Sequence, residues 1–62
     1  GKAALDRLKE IAMGDDGIRR IRLSTAPDNV NGIRIYEKFG FKDMKYQEDG
    51  EEVFVLELEK RP

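Results

Sequence analysis

Val53-Phe54-Val55-Leu56 is apolar at four successive positions, with Leu58 just beyond. Strand side chains alternate between the two faces of a sheet, so a strand of this kind is covered on both faces and belongs in the middle. The rest of the chain must then supply a strand for each side. Asp49-Gly50 stands just before this run and suits a type I′ hairpin turn, which needs positive φ at both central residues. It joins the predicted strands Phe41–Gln47 and Glu52–Glu59. Phe41–Gln47 carries Lys42, Asp43 and Lys45, charges that suit an edge. Ile18–Ser24 alternates Ile21 and Leu23 with Arg20, Arg22 and Ser24, the pattern of a half-buried strand.

Two helices complete the pattern. Lys2–Met13 places Ala4, Leu5, Leu8, Ile11 and Ala12 on one face, and Gly14 is its expected C′ residue. Val30–Phe39 carries Gly32, Ile35, Tyr36 and Phe39 at i, i+3, i+4 and i+7. Asp28 and Asn29 are both good N-caps for it, and Gly40 ends it. Pro27 stops the preceding strand, because it cannot donate to a central ladder. A right-handed crossover makes Ile18–Ser24 and Phe41–Gln47 parallel, with Glu52–Glu59 between them and antiparallel to both. The expected fold is α+β: helix-strand-helix-strand-strand, with a three-stranded mixed sheet of split β-α-β type, as one domain over residues 1–62.

Composition narrows the chemistry. There is no Cys and no His, which removes thiolate metal sites, the commonest zinc ligand and any Ser–His or Cys–His pair within these 62 residues. No metal is expected. No apolar run approaches a membrane span, and a net charge of −1 argues against nucleic acid as a partner. Residues 1–46 hold ten basic and seven acidic side chains, whereas residues 47–62 hold two and six. The acidic end reads as a solvated hairpin tip, and Gly14-Asp15-Asp16-Gly17 reads as a polar turn, since calcium-loop spacing is absent. Arg19, Arg20 and Arg22 read as part of a wet sheet face paired with nearby acids. Spacing alone yields no catalytic constellation.

The run Asp28-Asn29-Val30-Asn31-Gly32-Ile33-Arg34-Ile35-Tyr36-Glu37-Lys38-Phe39-Gly40-Phe41 resembles the C-terminal signature of the GNAT N-acetyltransferase superfamily, approximately N-x-x-A-x-x-L-Y-E-K-L-G-F. Asn29, Tyr36, Glu37, Lys38, Gly40 and Phe41 match it, while Gly32, Ile35 and Phe39 replace Ala, Leu and Leu. Ile21-Arg22-Leu23-Ser24 is similar to the family's fifth strand, and Val55-Leu56-Glu57-Leu58-Glu59-Lys60 to its closing strand. Gly1 through Leu8 is similar to the opening of its third helix. The family's pyrophosphate loop, approximately Q/R-x-x-G-x-G/A, is matched only at its last position, by Gly1. Its first four strands and first two helices have no match within these 62 residues.

The resemblance implies acetyl-CoA as co-substrate and an amine as acceptor. It implies that backbone N–H groups of Gly1, Lys2, Ala3 and Ala4 sit near the cofactor pyrophosphate, and that Asn29 contacts the cofactor near its helix start. A plain N-cap role for Asn29 is compatible with that contact. Tyr36 is similar to the family tyrosine that protonates the departing CoA thiolate. Asn31 and Lys38 are weaker candidates, and Glu48, Glu51 and Glu52 have no positional match. The resulting expectation is the C-terminal part of a cytoplasmic acetyl-CoA-dependent N-acetyltransferase, incomplete and inactive alone. A second copy or the missing N-terminal half would pair with the edge of Ile18–Ser24. The alternatives are a CoA-binding module without turnover and a protein-interaction domain.

Overall fold

The computed structural model describes residues 2–59. The elements are α1 (Lys2–Met13), β1 (Arg20–Thr25), α2 (Val30–Phe39), β2 (Lys42–Glu48) and β3 (Glu51–Glu57). Both helices have their expected bounds. The strands are displaced by one or two residues: Ile18 and Arg19 precede the β1 ladder, and β3 ends before Leu58. The sheet order is β1-β3-β2, so the apolar strand is central as its composition requires. As expected, β1 and β2 run parallel to each other, and β3 lies between them, antiparallel to both.

Asp49 (φ 52°) and Gly50 (φ 81°) form the two-residue hairpin turn between β2 and β3, with positive φ at both positions. β1 keeps unbroken register with β3 from Arg20↔Glu57 to Thr25↔Glu52. The N–H of Leu58 donates to the Arg19 carbonyl at 3.0 Å. Backbone groups alternate in direction along an antiparallel strand, so those of Arg20, Arg22 and Ser24 point away from β3. Among the described residues no strand pairs with them. β2 is irregular: Asp43 faces Phe54 and Gln47 faces Glu52, so three residues of β2 bulge opposite Val53 alone. Lys45 adopts φ 62° in this bulge, and its N–H donates to Asp43 Oδ1 at 2.8 Å.

Both helices cover one face of the sheet. Leu5 and Ala12 of α1 meet Ile21, Phe54, Leu56 and Leu58 in the core, and Phe41 closes it below α2. The apolar face expected for α1 is only partly buried. Ala4, Leu8 and Ile11 are exposed, Ile11 at 55%. The reason is positional: α2 lies against β2 and α1 against β1, at the border of the sheet. Lys9 of α1 reaches toward α2, over the Phe39 ring.

The opposite face is polar and paired. Arg20 bridges to Glu57 at 3.6 Å, Arg22 to Glu48, and Ser24 Oγ donates to Glu51 at 2.9 Å. Such exposed pairs contribute about 0–1 kcal/mol each. Their geometry is informative, however. The Arg22–Glu48 pair joins β1 to β2 and must cross β3, and beneath it Val53 is fully buried on the face away from the helices.

Candidate functional site

Tyr36 faces inward from α2, half-buried. Its position is set by the helix end. Gly40 takes φ 116°, a left-handed conformation that glycine adopts without a Cβ penalty. The Tyr36 carbonyl then accepts from the N–H of Phe41 at 2.9 Å and the Glu37 carbonyl from the N–H of Gly40 at 3.1 Å, the double closure of a Schellman-type cap. This reversal returns Phe41 against the helix. The Tyr36 ring lies 5.8 Å from the Phe41 ring and 5.8 Å, edge-on, from the Phe54 ring. Aromatic pairs at such separations are favourable beyond their burial. The ring is therefore held by the loop after α2 and by the central strand.

The hydroxyl is a different matter. It has no hydrogen-bond partner among the described residues, and none of their buried side-chain polar atoms lacks one. The hydroxyl is thus open to solvent. Next to Tyr36 a cavity of about 190 Å³ separates the two helices, lined also by Ala4, Leu5, Gly32 and Ile35. Small side chains at Ala4 and Gly32 keep it open. A hydroxyl donor at the border of an apolar cavity can hold or deliver a proton to a group bound there.

Asn29 is the N-cap of α2, and its Oδ1 accepts from the Gly32 N–H at 3.2 Å. Its Nδ2 donates to Thr25 Oγ1 at 2.9 Å. Gly32, which Asn29 caps, is also a wall of the cavity, so the start of α2 and Tyr36 belong to one neighbourhood. Ala3 is exposed in the first turn of α1, beside Ala4. Lys2 is the first residue of α1, and Gly1 lies outside the described residues. Asn31 and Lys38 are exposed on α2.

The hairpin carboxylates stand apart: Glu48 pairs with Arg22, Glu51 with Ser24, and Glu52 accepts from Gln47 at 3.3 Å. Among the described residues no cluster of acidic side chains could hold a metal ion. No helix in them is long and apolar enough to cross a membrane. Sequence reasoning did not identify Thr25 as the partner of Asn29, nor Ala4 and Leu5 as cavity walls. Those contacts arise from the turn through Pro27 and from helix packing, neither of which leaves a pattern along the chain.

The model of the acetyltransferase (GNAT) family matches residues 1–41, which include α1, β1, α2 and the Phe41 that supports Tyr36. No curated protein and no solved structure matches the chain. With two-thirds of its residues covered by that one family, and with the helix-capping signature folded as its residues require, the chain belongs to the acetyltransferase (GNAT) family.

Proposed function

We propose that the chain is the C-terminal part of an N-acetyltransferase that uses acetyl-CoA and an amine acceptor, with Tyr36 as its general acid. The observation that carries this reading is the Tyr36 hydroxyl: without a partner among the described residues, solvent-open, and on a ring that lines the cavity and is held by two aromatic rings. Acetyl-CoA would supply an activated acetyl thioester, and a narrow cavity between helices suits the slender arm of such a molecule. The residues divide the work as follows. As the amine nitrogen bonds to the acetyl carbon and the carbon–sulfur bond breaks, the Tyr36 hydroxyl would donate its proton to the leaving sulfur, and the proton that the amine loses would pass through solvent to restore the tyrosine. Backbone N–H groups in the first turn of α1, from Lys2 and Ala3, attract phosphate oxygens, because a helix N-terminus leaves such donors free. Asn29 presents its amide at the rim.

We place this protein in the cytoplasm, where a chain without cysteines needs no oxidising compartment. Pairing at the outer edge of β1, by a second copy or an N-terminal half, belongs to the same proposal. Alone, the chain would be inactive and would bind acetyl-CoA no tighter than high micromolar. Calorimetry tests that affinity, and a sub-micromolar value for the monomer would overturn it. In the assembled enzyme, Tyr36→Phe should lower turnover by roughly 10²–10⁴-fold and leave folding intact. Unchanged turnover, with chemistry rate-limiting, would remove Tyr36 from the mechanism. A reading as a CoA-binding or interaction module without turnover would then take precedence.

A further inference from the structure

The Asn29 side chain does more than an N-cap needs. A cap uses only an acceptor, here Oδ1 toward the Gly32 N–H. The other end of the amide is also held, by Thr25 Oγ1 on the last residue of β1, and Thr25 is the buried polar residue of the described chain. Gly32 makes this possible. A Cβ on residue 32 would stand 2.5 Å from Asn29 Nδ2 and 2.9 Å from its Cγ, so the amide lies in space that a side chain there would fill. Glycine is disfavoured inside helices, and this is the position where its bareness is used.

We propose that Thr25 and Gly32 lock the Asn29 amide in a single orientation, which makes Thr25 a positioning residue for the neighbourhood of Tyr36. The inference rests on the CoA-site reading above. The orientation follows from donor and acceptor chemistry. The Gly32 N–H donates, so the amide oxygen must face it and Nδ2 must face Thr25. One N–H and one lone pair of the amide then remain for the exterior, in fixed places. Without the Thr25 oxygen the amide keeps its cap bond but turns freely about its remaining torsion. Without the gap at Gly32 it is expelled from both bonds.

Two measurements on the 62-residue chain test this. The first is a mutant cycle read by chemical unfolding. In an Asn29→Ala background, Gly32→Ala should raise the folded-to-unfolded ratio about fivefold, the ordinary helix preference of alanine. With Asn29 present, the same change should gain nothing or reduce the ratio. Equal gains in both backgrounds would overturn the lock. The second is titration with CoA, followed by the amide resonances of Gly32 and Tyr36. Thr25→Val should weaken binding by about tenfold, the scale of one lost hydrogen bond. Thr25→Ser, which retains the hydroxyl, should bind within about twofold of the parent chain on the same scale. If Asn29→Ala weakens binding and Thr25→Val does not, Thr25 has no positioning role. If CoA at millimolar concentration, enough to fill a high-micromolar site, shifts neither resonance in the parent chain, the CoA-site reading fails and takes the positioning role with it. The mutant cycle still decides the lock.

Discussion

The two outer strands of the sheet share one neighbour and end very differently. β2 is a finished border. Its ladder with β3 is interrupted by a bulge, Lys45 sits there with positive φ, and Lys42 and Lys45 place charge along it. Proteins commonly blunt exposed sheet edges in these ways, because a straight edge invites pairing. β1 has none of this. It stays in register over six residues, without a bulge or lysine, and the outward backbone groups of Arg20, Arg22 and Ser24 form a regular row. Its arginines do not guard the edge, since Arg20 and Arg22 are drawn back over β3 toward Glu57 and Glu48. The difference teaches that an edge strand is not defined by being last in the sheet. β2 is built to face water, and β1 has the character of an interior strand, which supports the proposal that another strand pairs there.

The harshest way to break the comparison is to remove what both edges lean on. Phe54 is almost fully buried at the centre of β3 and touches the Tyr36 ring. Phe54→Ala should cost about 3–5 kcal/mol, enough to unfold a domain this small. Circular dichroism during urea titration would show this, and a retained parental midpoint would place the core elsewhere. The next change separates the edges. Ser24→Pro deletes an N–H that points outward, so the ladder to β3 survives while pairing at β1 is blocked. Sedimentation should show self-association weakened by at least about tenfold. A parent chain that is monomeric at millimolar concentration, with slow amide exchange at Arg20, Arg22 and Ser24, would remove the distinction. The smallest effect is at β2. Lys45→Gly relieves a left-handed conformation and should gain about 0.5–1 kcal/mol in urea unfolding. A loss there would show that the lysine side chain itself holds the bulge.

Much of this architecture is legible because single residues impose it. Asp49-Gly50 fixes the hairpin, Gly40 fixes the end of α2, and the unbroken run from Val53 to Leu56 fixes the strand order. The bulge is not legible, because its positive-φ residue is a lysine held by a local bond to Asp43, with no glycine or asparagine to mark it. The width of the α1 face misled for a related reason. Periodicity shows which residues of a helix are apolar, but how many are buried depends on how far the sheet extends beneath them. At the site, Tyr36 and Asn29 stand out through the family signature. The bond from Asn29 to Thr25 depends on how the turn at Pro27 folds back, which the residue types do not encode.

The central position of β3 has a consequence for how the molecule comes into being. A ribosome delivers β1 and α2 long before the strand that joins them: Arg20 must wait for Glu57 to emerge. Until then β1 lacks its β3 partner, and the apolar stripes of both helices lack the central strand they pack on. The hairpin of β2 and β3 can close locally, and its closure creates a surface onto which the older segments dock together. Folding of this sheet is thus timed by β3, and non-local pairing of this kind is slow compared with helix formation. During that interval the side of β1 that β3 will cover is open to other strands.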